Sequence, residues 1–107
     1  MLRQSNAQGV FHITPKPGLP QVAIVHGVYV LPEYRGNGWG HNIMRDIEIA
    51  LIRDNYDAAI CTTSGDNHAM QACLEAAGWS LLTTFHNRKT DAPHQMWGFT
   101  ITKSVQQ

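Results

Sequence analysis

One stretch constrains the fold more than any other: Val30-Leu31-Pro32-Glu33-Tyr34-Arg35-Gly36-Asn37-Gly38-Trp39-Gly40. Residues 21–31 lead into it with Val22, Ile24, Val25, Val28, Tyr29 and Val30. This β-branched run is apolar on both faces, as in an inner strand of a covered sheet. Gly27 interrupts it, which marks a bulge or a close backbone approach by a ligand. Pro32 ends the strand. Residues 39–54 then read as a helix, because Ile43, Met44, Ile47, Ala50 and Leu51 recur at helical spacing. A strand therefore feeds a glycine-rich turn, and the turn feeds a helix. Gly36, Gly38 and Gly40 remove Cβ atoms where an anion would approach the backbone. The N–H groups at the helix start point into that space, and the helix dipole favours negative charge there. Arg35 adds a cation. The segment has the chemistry of a phosphate cradle; the plain alternative is a tight turn closed by glycines.

Two familiar cradles are excluded. No Gly-Lys-Ser/Thr follows, so this is not a P-loop. Gly36 and Gly38 fit a dinucleotide fingerprint, but His41 occupies its last glycine position. Asp57 lies loosely where a ribose-binding acid would stand.

The rest of the chain completes an α/β pattern. Residues 10–14 form a short strand, and Pro15, Pro17, Gly18 and Pro20 predict a turn after it. Residues 57–63 are a second inner strand. Residues 64–67 are of helix-capping type and start a second helix ending at Ala77, with Gly78 at the stop position. Residues 79–86 form a strand, 87–93 a turn, and 95–103 a final strand. The predicted order is strand, strand, helix, strand, helix, strand, strand. With 107 residues, 43% of them apolar, the chain fits a single domain over residues 1–107. The formal net charge is zero, which leaves no basic field for a nucleic acid and favours an oligomer, with a homodimer as the expectation. No run reaches the roughly 18 apolar residues of a membrane span, and no signal-peptide pattern appears, so a soluble, cytoplasmic protein without a membrane partner is expected. Cys61 and Cys73 read as free buried thiols. His12, His41, His68, His86 and His94 lack metal-ligand spacing, so no metal site is expected.

The residues flanking the cradle resemble the GNAT acetyltransferases. That family's signature, Arg/Gln-x-x-Gly-x-Gly/Ala, is matched by Arg35, Gly38 and Gly40, and the preceding Val-x-Pro by Val30 and Pro32. Asn67, the following helix and Gly78-Trp79 match a second family pattern. The resemblance implies the GNAT acyl-CoA N-acyltransferase fold: a mixed central sheet with splayed parallel strands and flanking helices. The usual N-terminal helices would be missing, since only about 20 residues precede the central strand. It implies acetyl-CoA as cofactor and an amine as acceptor. Val28, Tyr29 and Val30 would meet the pantetheine and thioester, with the N–H of Val30 polarising the carbonyl. Arg35, Gly36, Asn37, Gly38, Trp39 and Gly40 would hold the pyrophosphate. Asn67 would contact the pantetheine arm; its plain alternative is a helix cap.

Direct transfer to an amine needs a base. His26, on the central strand, is the candidate; a core histidine is the alternative. A regular strand would put it on the face of Ile24 and Val28, unless a bulge at Gly27 intervened. His68 is a further candidate for the cofactor groove. One departure stands out. Seven residues after the asparagine, where many relatives carry a proton-donating tyrosine, this chain has Leu74. Two readings follow: an N-acetyltransferase with an open acceptor side suited to a protein or other bulky amine, or a non-catalytic GNAT-fold binding or structural protein. Trp79, Trp97 and Phe99 are candidates for either a core or a partner surface.

Overall fold

Alternation of apolar and polar residues sets the first layer. In the computed structural model, which describes residues 2–6, 9–30 and 39–101, strand β2 (Gly9–Lys16) buries Phe11 and Ile13 and leaves His12 and Thr14 partly exposed. It turns at Pro17-Gly18, where Gly18 has φ +80°, into β3 (Leu19–Val30). The turn is shorter than expected: Pro15 pairs with Ala23 in the ladder and Pro20 lies in β3. Strand β1 (Leu2–Asn6) was not expected, because Leu-Arg-Gln-Ser-Asn carries no apolar alternation. It pairs with β2 at the edge of the sheet, where backbone bonding alone suffices.

The remaining elements are α1 (Trp39–Arg53), β4 (Ala58–Ser64), α2 (His68–Ala76), β5 (Ser80–Asn87) and β6 (Ala92–Thr100). The six strands form one sheet in the order β1-β2-β3-β4-β6-β5. Only β3 and β4 run parallel; every other pair is antiparallel. This is the expected crossover, strand–helix–strand, followed by an antiparallel pair. Strand β6 inserts between β4 and β5, a placement that sequence order does not reveal.

Register shows where the core lies. Ile13 opposes Val25, Ala23 opposes Ala59, and Cys61 opposes Trp97. All six are buried and so share one face. Ile43, Met44, Ile47, Ala50 and Leu51 of α1 and Leu74 of α2 join them in one cluster. Each fully buried aliphatic side chain contributes on the order of 1.5–3 kcal/mol. The opposite face carries Val22, Ile24, Ile60 and Met96, all only half-buried. Leu82 lies over Gly98 on that face and is 56% exposed. The inner strands are thus apolar on both faces, as read from the sequence, but among the described residues helices cover only one. Trp79 and Trp97 are core residues, and Trp79 stacks on Phe99 at 5.2 Å.

Both helices stop by the same device. At the end of α2 the Trp79 N–H donates to the Leu74 carbonyl and the Gly78 N–H to that of Glu75, with Gly78 at φ +90°. At the end of α1, Tyr56 donates to Leu51 and Asn55 to Ile52, with Asn55 at φ +64°. These are Schellman caps. An added Cβ at Gly78 meets only ordinary contact with Phe99, at 3.7 Å, so backbone conformation sets the cost of substitution there. Gly78→Ala is expected to lower stability by about 1–2 kcal/mol, read as a shifted urea midpoint at unchanged m-value.

Candidate active site

The site begins where two strands part. Strands β3 and β4 pair at Val22 with Ala58, Ala23 with Ala59 and Ile24 with Ile60, and the parallel ladder ends there. Beyond it opens a cleft of about 270 Å³. One wall is Val25, His26, Gly27 and Val28 of β3. The other is built by residues 61–64 of β4, by the cap residue Asn67 and Met70 of α2, and by His94 of β6.

A bulge shapes the first wall. His12 opposes His26 and Val10 opposes Tyr29, so two residues of β3, Gly27 and Val28, face the single Phe11 of β2. The extra residue bends β3 and reverses its alternation. Ala23 and Val25 are buried before the bulge, and Val28 packs on the core after it. His26 therefore keeps the face of Ile24 but not that of Val28, and it is exposed. The regular-strand expectation is corrected by Gly27, whose φ of +63° lies in the left-handed region.

The second wall is polar and tightly held. The Ser64 hydroxyl donates to Asp66 at 2.5 Å. That bond, followed by one from the Asp66 backbone, lowers the Asp66 carboxyl below its ordinary range, with smaller help from His68 and His94. The Gln71 amide donates to the carbonyls of Ser64 and Gly65 at 3.3 and 3.0 Å, fixing the loop between β4 and α2. Asn67 accepts from the N–H of Met70 at 3.1 Å, so the capping role is real. Its side-chain nitrogen has no hydrogen-bond partner among the described residues. His94 opposes Ser64 across the ladder, and its Nδ1 is buried without a hydrogen-bond partner among the described residues. Thr62, Thr63, Ser64 and His94 were not expected at the site from the sequence. Their convergence depends on β6 lying beside β4, which no local pattern signals.

Other expected site residues sort as follows. Val28 lines the cleft; Tyr29, 45% exposed, and Val30 continue β3 past the bulge. Arg35, Gly36, Asn37 and Gly38 lie outside the described residues. Trp39 and Gly40 are the first two residues of α1, whose first turn contains no acidic residue that would repel an anion there. His68 is the first residue of α2 and is not part of the cleft wall. Leu74 is fully buried in the core. Among the described residues no three His, Cys, Asp or Glu side chains gather as a metal site, and no helix is long and apolar enough to cross a membrane.

The model of the acetyltransferase (GNAT) family matches residues 4–79. The chain belongs to this family, and its class is that of the GNAT acetyltransferases. Solved structures agree on the fold. The ribosomal-protein-S18-alanine N-acetyltransferase of Escherichia coli superposes with a TM-score of 0.75 at 14% identity, over 97% of this chain and 71% of that one. A Bacillus subtilis acetyltransferase in complex with CoA gives 0.77 at 11% identity, over 92% and 72%. A Salmonella typhimurium protein solved with its cofactor acetyl-CoA gives 0.75 at 13%, over 92% and 61%. The chain thus spans between 61% and 72% of the length of these three. No curated protein sequence matches it significantly.

Two outcomes follow from the wall residues. Asn67→Ala is expected to cost about 1 kcal/mol through the lost cap, and Asn67→Asp much less, as read by thermal unfolding. Burial pushes the Cys61 thiol from an ordinary 9.0 to about 12. A raised thiol keeps its proton longer in the folded chain than in the unfolded one. Its contribution to stability is therefore full below about pH 9 and lost as pH rises toward about 12. Cys61→Ala is expected to flatten that part of the stability–pH curve.

Proposed function

We propose that the protein is an acetyl-CoA-dependent N-acetyltransferase that moves an acetyl group to a primary amine by direct attack in a ternary complex. The observation that carries this reading is the split between β3 and β4 and the polar-walled cleft that opens there. Acetyl-CoA supplies the acetyl group as an activated thioester. The residues present suit it. From Val25 to Val28, β3 has no ladder partner on its β4 side, so an extended pantetheine fits between the strands. The unpartnered Nδ1 of His94 and the amide nitrogen of Asn67 offer polar contacts in that slot.

The roles divide along the chain. Arg35, Gly36, Asn37, Gly38, Trp39 and Gly40 hold the pyrophosphate at the start of α1. Val28, Tyr29 and Val30 line the thioester end, and the N–H of Val30 donates to the carbonyl oxygen as charge builds there. Asn67 caps α2 and touches the pantetheine arm. His26, exposed at the cleft mouth, takes the amine proton directly or through water. No protein nucleophile is required, which suits a buried, protonated Cys61.

The acceptor enters from the helix-free face, where His26 stands. That face is open among the described residues, which suits a bulky or protein-borne amine. A second copy of the chain is the other candidate occupant, as a homodimer. Light scattering separates them, since a monomer leaves the face to the acceptor. A non-catalytic binding protein is the second reading, favoured by Leu74 lying in the core rather than at the cleft.

Calorimetric titration with acetyl-CoA tests the proposal. Saturable binding is expected, weakened at least about 10-fold in an Arg35→Ala, Gly38→Ala double variant. A well-folded wild type that does not bind would defeat the enzyme reading. Binding without turnover of any amine or protein acceptor would favour the second reading. In the active enzyme, His26→Ala is expected to lower kcat/KM about 10²-fold or more.

A further inference from the structure

The helix-free face holds a pair of imidazoles. The rings of His12 and His26 lie 5.4 Å apart at an interplanar angle of 22°. They are cross-strand partners on β2 and β3, next to the bulge. Gly27 makes room for this arrangement. A Cβ at Gly27 would stand 2.6 Å from His12 Nδ1 and 3.2 Å from its Cε1. The His12 ring therefore rests on the Gly27 backbone as well as against the His26 ring.

His26 needs such a support. It is exposed, and it makes no hydrogen bond among the described residues. The outer torsion of a histidine is broad, and exposed side chains change rotamer within nanoseconds. A base with no fixed orientation would seldom present a ring nitrogen to an incoming amine. The stack on His12 restrains the His26 ring. His12 is itself half-buried and sits opposite Arg3 of β1 in register. It is the better anchored of the two.

We propose that His12 is a positioning residue: seated on Gly27, its ring fixes the plane of the His26 imidazole at the mouth of the cleft. The inference rests on the reading of His26 as the base. The proton of the amine passes to His26 and then to solvent, and His12 takes no part in that transfer. The bulge thus has a second effect besides bending β3. It creates the glycine-sized gap into which a neighbouring ring settles.

The test compares His12→Phe, His12→Leu, His12→Ala and His26→Ala, with kcat, KM, the pH profile of kcat/KM and acetyl-CoA affinity measured for each. Ring-proton chemical shifts of His26 report the stack independently of turnover. His12→Phe keeps a stacking ring and loses the imidazole nitrogens; it is expected to stay within about twofold of wild type with an unchanged pH-profile shape. His12→Leu fills the space without stacking, and His12→Ala empties it. Both are expected to lose about 10-fold in kcat with acetyl-CoA affinity unchanged, and the His26 ring signals are expected to lose their stacking shift. If His26→Ala is impaired while His12→Leu and His12→Ala match wild type, the positioning role is overturned and the base reading stands. Loss in His12→Phe equal to that in His12→Ala overturns it too, because His12 would then act through its own nitrogens. A fully active His26→Ala, or a wild type without turnover, overturns the base reading and the positioning role together.

Discussion

Three parallel rungs, Val22 with Ala58, Ala23 with Ala59 and Ile24 with Ile60, join the two halves of the sheet. On one side lies the β1-β2-β3 meander; on the other, β4, β6 and β5. The rungs are short because β3 bends at its bulge. Had the ladder continued, the backbone of β3 beside Val28 would be consumed by β4 and no cleft would exist. Had it been absent, side-chain packing in the shared core, with α1 against β2, β3 and α2, would be left to hold the halves together. The small residues Ala23, Ala58 and Ala59 in these rungs allow close approach, and Ala23 and Ala59 sit fully under the helices.

Much of this was legible in the sequence because the signals were local. The apolar spacing of α1, the glycine stop after α2 and the β-branched runs of β3 and β4 each specify an element without reference to the rest. The elements and the closing antiparallel pair were therefore foreseeable, and the parallel run of β3 beside β4 was what the family resemblance implied. The interruption at Gly27 was visible, and its left-handed φ confirms a bulge. Its effect on His26 was not derivable. Whether an inserted residue reverses the alternation depends on which strand it faces, and that is a pairing property.

The misses have the same origin. Strand β1 has no apolar pattern and exists because β2 offers an edge. His94 and the threonines of the second wall gain meaning only when β6 is placed against β4. The cradle is the converse case. It was the strongest reading of the sequence, yet Arg35, Gly36, Asn37 and Gly38 fall outside the described residues. What the structure describes around it is the strand before it and the helix after it.

The narrow join has a mechanical consequence. Whatever lies along β3 in the cleft occupies the place of the missing rungs, with one half of the sheet on either side. Such a guest works as a splint across the shortest ladder of the sheet. Its binding energy then adds to the cohesion of the fold as well as to occupancy of the site. Local opening, in turn, is expected to start where the ladder stops, so that the same seam admits the guest and is closed by it.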